Sequence, residues 1–222
     1  MDSVAPRSSA RAAAIFAVAT SGFLLSMFYR VSVTVVSNEL AADLGLTAAG
    51  LSALSAAFFY AFAAAQPVLG PSLDRLGPRL IMAGLGLTAA GGSLLFALSD
   101  NAATAFVARA LMGLGMSSNL MGALTLLVNW FPADRFATLM GVLTSVGSLG
   151  MALAATPLAL LSRTLGWRGA FLALAAVNVL QVAALFVVVR NHPPGATPRA
   201  HGAENPFRGL GRLVRKPWFW IM

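Results

Sequence analysis

The sequence predicts an all-α membrane protein: a bundle of six transmembrane helices with a seventh begun. Three observations carry that prediction. Of 222 residues, 58% are hydrophobic and only 10% charged, against about a quarter charged in an ordinary soluble domain, and mean hydropathy is +0.80. Six apolar stretches each reach the roughly 20 residues that cross a hydrocarbon core about 30 Å thick. Glycine is frequent, at 21 residues, as suits helices that approach closely in lipid. A soluble fold of this length could not hide so much apolar surface in one core.

The six stretches run over 12–36, 48–69, 80–98, 102–128, 136–161 and 169–189, each bounded by charges or turn residues. The boundaries are Asn38-Glu39 to Asp43, Asp74-Arg75 to Pro78-Arg79, Ser99-Asp100-Asn101, Pro132 to Arg135, and Gly166-Trp167-Arg168. The first stretch follows Arg7 and Arg11 but is too long for a signal-peptide core and contains Arg30, so a retained helix is expected. With the N-terminus placed in the cytoplasm, eleven basic residues fall inside: Arg7, Arg11, Arg75, Arg79, Arg135, Arg190 and the five that follow it. Only Arg163 and Arg168 fall outside, while Arg30 and Arg109 lie within spans. That bias obeys the positive-inside rule for an inner or plasma membrane, and it accounts for the net charge of +8 without nucleic acid. Four regions follow: a cytoplasmic tail over 1–11, the six-helix bundle over 12–189, a cytoplasmic linker over 190–216, and the start of a seventh span over 217–222. Within the linker, Asn205-Pro206 reads as a helix start, and Phe207, Leu210 and Val214 oppose Arg208, Arg212 and Arg215. That segment is either a solvated charged stretch or a short helix lying on anionic lipid headgroups. Pro217-Trp218-Phe219-Trp220 has the aromatic character of a membrane-helix end.

Enzyme chemistry finds no foothold. There is no cysteine, and the two histidines, His192 and His201, sit in a Pro/Gly-rich stretch. Neither a metal centre nor a cofactor is therefore expected. Gly84-x-Gly86 and Gly113-x-Gly115 are incomplete as nucleotide fingerprints, because Ala89 and Ser118 stand where a third glycine would be.

The loop after the second span reads Gly70-Pro-Ser-Leu-Asp74-Arg75-Leu-Gly77-Pro-Arg79-Leu80. It resembles the G-x-x-x-D-R-x-G-x-R-[RK] signature of the major facilitator superfamily, at the same loop, with Leu80 in place of the last basic residue. Arg109-Ala-Leu-Met-Gly113-Leu-Gly115 in the fourth span is similar to that family's R-x-x-x-G-x-G pattern. Gly166-Trp167-Arg168 and the proline-rich linker fit the same family. The resemblance implies the N-terminal half of a secondary transporter, built as two inverted three-helix repeats that rock against a C-terminal half missing from this chain. It also implies a gating role for Gly70, Asp74, Arg75, Gly77 and Arg79, which latch the cytoplasmic ends of the two halves, and helix packing at Gly113 and Gly115. Independently of the family, Gly70 lets a helix end near a neighbour, Gly77-Pro78 forces a tight turn, and the arginines hold the loop in the cytoplasm.

Charge inside a membrane marks function by default. Ser26, Arg30, Thr34 and Asn38 recur every four residues and so form one stripe on the first span. The stripe faces a wet cavity, or else Arg30 snorkels to the outer headgroups. In the first case its guanidinium offers a two-pronged fork to a carboxylate or phosphate. Arg109 lies two turns into the fourth span, where it either pairs with carbonyls or a carboxylate or, as the resemblance implies, serves coupling or lines the cavity. Ser145 on the fifth span and Tyr60 on the second complete the candidate substrate contacts, with Ser26, Arg30, Thr34 and Arg109. No Asp or Glu lies mid-span, so a co-transported proton or cation would need a carboxylate elsewhere or Asp74 at the rim.

The expected function is transport of a small organic anion by alternating access, as symport or uniport, with membrane lipids as surroundings. Three alternatives stand. One is a proton-driven efflux antiporter of the same fold, disfavoured because Ala154-Ala155 stand where drug exporters carry Gly-Pro. The others are a membrane sensor that binds without moving its ligand, and an inactive fragment.

Overall fold

The structure is a computed structural model that describes residues 7–194. The basic segment from 195, the expected seventh span and the first six residues lie outside them. Runs of Ala, Leu, Val and Phe without turn residues form helices, and capping residues set their ends. Helix α1 covers Arg7–Val35 and breaks at Val36 (φ −104°, ψ 16°), and the short α2 covers Ser37–Leu44. Asn38 therefore belongs to α2 and leaves the stripe expected on the first span. Helix α3 covers Ala48–Leu76, with Thr47 accepting the Gly50 N–H at its start. Helix α4 covers Pro78–Ala97, α5 Ala102–Met116, α6 Ser118–Trp130 and α7 Ala133–Val188. Asn101 caps α5 by accepting the Thr104 N–H at 2.9 Å.

At 1.5 Å per residue, the 56 residues of α7 would measure about 84 Å, far beyond a bilayer. Gly166 divides them: its φ of 70° and ψ of 167° are not helical, and its positive φ suits glycine because it has no Cβ. Contacts with α1 show that the chain reverses there. Before the break, Gly147 lies against Phe23 and Ser162 donates to Glu39, so numbers rise together. After it, Tyr29 donates to the Leu174 carbonyl and Gln181 to the Val18 carbonyl, so they run opposed. With α5 and α6 treated as one interrupted rod, the described residues make six crossings in up-and-down order. Each expected span falls on one of these rods, though α1 begins earlier, at Arg7, α3 runs on to Leu76, and the rod before Gly166 extends beyond 136–161 at both ends.

The up-and-down order sorts the charges. Arg11, Arg75, Arg79, Arg135 and Arg190 gather at the end carrying the chain's N-terminus, and Arg163 and Arg168 stand at the opposite end with Glu39, Asp43 and Asp100. Two apolar clusters fill the bundle. One surrounds Tyr29, Phe58, Phe96, Met112 and Trp167, and the other Ile15, Phe23, Met82, Leu126 and Leu185. Phe96 packs on Phe171 and Trp167, with ring centroids 4.5 and 5.5 Å away. Small residues let α4 and α5 touch through backbone: Gly92 faces the Ala108 carbonyl, and Gly115 faces the Ala89 backbone.

Candidate functional site

The second turn from the end of α1 carries Tyr29 and Arg30 side by side, pointing to different neighbours. Arg30 reaches α3 and lies over the ring of Phe62, 4.6 Å from its centroid, and near Phe59 at 6.0 Å. Phe62 is the midpoint of the 29-residue α3, about 20 Å from either end. The guanidinium therefore sits deep in the bundle's thickness rather than lifted to the outer rim, half-buried, with an unpartnered Nε. Among the described residues it forms no ion pair.

Arg109 is wholly buried, at 0% exposure. Its Nη1 donates to the Tyr29 carbonyl at 3.2 Å and to Ser32 Oγ at 3.4 Å, and its charge lies 4.8 Å from the Phe58 ring centroid. Nε and Nη2 have no partner. This is the carbonyl-pairing placement, and a residue so enclosed lines no opening in this conformation. The Tyr29 hydroxyl accepts from Ser93 at 2.8 Å, tying α1 to α4.

About two turns beyond Arg109, the fourth rod is interrupted between α5 and α6 at Ser117, whose N–H bonds the Leu114 carbonyl. Side chains of other helices reach carbonyls at this point: Ser26 Oγ donates to the Met116 oxygen at 3.3 Å, and Gln66 Nε2 to the Ser117 oxygen at 3.4 Å. Such interruptions persist in lipid only where side chains restore the lost bonds. Ser26 and Gln66 each stand one turn from a member of the Arg30–Phe62 pair, so hydroxyl, amide and guanidinium share one seam between α1, α3 and the fourth rod.

At the basic end, α3 stops at Gly77, not Gly70. Gly70 lies inside the helix and nothing approaches it within 4 Å of where a Cβ would be. Gly77 (φ 79°) turns the chain, and a Cβ there would meet the Asn191 side chain. Asn191 Oδ1 accepts the Arg79 N–H at 3.0 Å, Asn129 donates to the Asn191 carbonyl, and Trp130 donates to that of Arg190. Arg79 itself donates to the Phe186 carbonyl at 2.6 Å and lies over the Phe186 ring. Asp74 and Arg75 are exposed, and among the described residues neither forms an ion pair.

A family model for the Major Facilitator Superfamily matches residues 18–222. The chain belongs to that superfamily. It is 29% identical over 191 residues to the "Probable L-galactonate transporter" of Escherichia coli (strain K12), covering 82% of this chain and 42% of that one. It is 26% identical to the "Probable sulfoacetate transporter SauU" of Cupriavidus necator, covering 71% and 36%. Among solved structures, a bacterial homolog of the human lysosomal transporter Spinster, inward-facing and unoccupied, matches with TM-score 0.74 at 18% identity over 95% of this chain and 50% of that one. The chain thus spans less than half the length of these curated relatives. It is an integral membrane protein of an all-α transporter superfamily, not an enzyme.

Within this superfamily bundle the candidate contacts separate. Ser26, Arg30 and Arg109 are brought together through Tyr29 and the α3 phenylalanines. Thr34 is exposed toward the end of α1, and Ser145 is exposed on α7. Tyr60 is 76% exposed and lies two residues from both Phe58 and Phe62, which puts it on the opposite face of α3. Gly113 meets the Phe58 backbone and Gly115 that of Ala89, in keeping with a packing role. Sequence reasoning missed Phe58, Phe62, Gln66 and Asn191. Gln66 carried a usable signal, being a polar residue beside Pro67 inside an apolar span; the phenylalanines carried none, since apolar residues are ordinary there.

Proposed function

We propose that this chain is the N-terminal half of a secondary transporter that moves a small organic anion by alternating access, with Arg30 as the anion contact. The observation that carries this reading is a half-buried guanidinium at the mid-depth of α3, 4.6 Å over the Phe62 ring and without a carboxylate among the described residues. An unneutralised cation at such depth is costly, and a carboxylate solute would offset that cost through a paired hydrogen bond. Two relatives bear the names of galactonate and sulfoacetate transporters, and both compounds are carboxylates.

The arginines concentrated at the end where α1 begins support a cytoplasmic location for that end under the positive-inside rule. There Asp74, Arg75 and Arg79, at the corner turned by Gly77, meet the other half of the transporter when the cytoplasmic side is shut. Transport is driven by the solute gradient or by a co-transported proton or cation.

The test is uptake of radiolabelled galactonate by the full-length transporter in proteoliposomes. Arg30→Ala should abolish uptake, and Arg30→Lys, which keeps charge but loses the planar fork, should reduce it at least about tenfold. Unchanged uptake in both variants overturns the assignment.

A further inference from the structure

We infer that Arg109, though sealed from any opening, is a positioning residue for the Arg30 guanidinium, acting through a stacked pair of phenylalanines and through the backbone of α1. The inference rests on the reading of Arg30 as the anion contact.

The backbone route is short. Arg109 Nη1 holds the Tyr29 carbonyl and the Ser32 hydroxyl, the residues that bracket Arg30 on α1. A fixed cation on α5 thereby sets the rotation and height of the turn from which Arg30 projects. The ring route is direct as well. Arg109 lies over Phe58 at 4.8 Å, Phe58 stacks on Phe62 with planes 17° apart and centroids 6.3 Å apart, and Phe62 lies under Arg30 at 4.6 Å. Phe58 is itself fixed, because Gly113, one turn beyond Arg109 on α5, lets that helix press on the Phe58 carbonyl.

The arrangement places two cations on the outer members of one ring pair. Each ring face is electron-rich and attracts the guanidinium over it, and the rings keep the two like charges apart. Arg109 spends its Nη1 on α1 and keeps no exposed surface. Arg30, over Phe62, forms no ion pair among the described residues and keeps its donors for a ligand. One arginine is a fixed strut, and the other is the contact that the strut and rings aim.

The experiment is a double-mutant cycle in the full-length transporter, measuring KM and Vmax for galactonate per folded molecule. Phe62→Leu and Arg109→Lys should each raise KM roughly three- to thirtyfold, the range spanned by losing one cation–π contact, while Vmax stays within about twofold. Phe62→Tyr, which keeps the ring face, should restore the wild-type KM. On an Arg30→Lys background neither change should add more than about twofold, since the group being aimed is gone. Where uptake is too slow, galactonate protection against thermal unfolding gives the affinity. Lowered Vmax and folded yield at constant KM would make Arg109 a packing residue and overturn the inference. Effects that multiply on the Arg30→Lys background would overturn it while leaving Arg30 as the anion contact. Full uptake by Arg30→Ala would overturn both readings together.

Discussion

A fully buried arginine with no carboxylate is an expensive residue, at roughly 2.5–3.5 kcal/mol on membrane-insertion scales. Arg109 meets part of that cost locally, from one carbonyl, one hydroxyl and one ring face. At the opposite end of the bundle, charge is handled differently. Asp43 accepts from Trp167 Nε1 at 2.8 Å and from Arg168 Nη1 at 2.5 Å, and Arg168 also donates to the Ser99 carbonyl. The Trp167 hydrogen bond first, then that from Arg168, holds the Asp43 carboxyl below its ordinary value of 3.8. A carboxyl lowered by folding stabilises the native state above its unfolded value, and that contribution is lost as pH falls through the folded value. The melting-temperature advantage of the wild type over Asp43→Asn should thus be constant from about pH 7 to 5, begin to shrink near the unfolded value of about 3.8 and be lost below the lowered folded value. A difference that persists unchanged at about pH 3 would show that the carboxylate's charge is not what holds this corner.

Elements in this bundle meet through glycine where backbones must touch. The α5 pattern Gly113-x-Gly115 faces two partners at once, α3 through Phe58 and α4 through Ala89. A methyl group on Gly113 would collide with the Phe58 carbonyl, which is backbone and cannot swing away. Gly113→Ala should therefore destabilise the folded protein by about 1–3 kcal/mol, measured as a lowered thermal midpoint in detergent. Gly84→Ala, where nothing lies within 4 Å, should leave stability unchanged or raise it by up to about 1 kcal/mol, since alanine is the better helix former. Equal losses in the two variants would refute the close-approach explanation. Element ends were legible in advance wherever a cap marked them, as Asn101 and Gly77-Pro78 do. The breaks at Val36 and Ser117 were not, because neither carries a glycine, proline or side-chain cap to mark it; at Ser117 the neighbouring carbonyls meet Ser26 and Gln66 of other helices.

For the whole molecule, the basic corner is built in two parts. Arg79 and the Gly77 turn are tied to the end of the sixth rod through Asn191 and Phe186, while Asp74 and Arg75 project from α3 without ion partners among the described residues. A rigid mount carrying an unpaired carboxylate suits the proposed latch. In the full-length protein, Asp74→Asn should shift the balance between inward- and outward-facing states by about fivefold or more. The readout is the labelling rate of a cysteine introduced at Ser145. An unshifted rate would leave Asp74 as a topological charge only.

Hydropathy and charge spacing alone determined that the described residues are helical, make six apolar crossings and carry most of the arginines outside the spans at one end, because those properties depend on how each segment partitions between water and lipid. The same text picked out Arg30 and Arg109 as anomalous, since a cation inside an apolar run is costly whatever surrounds it. Only the tertiary structure decided that the two differ in kind, one enclosed against α1 and one half-open on α3. It also decided that Phe58 and Phe62 lie between them. Those assignments depend on which faces of three helices meet, and that is set by close packing among residues far apart in the chain.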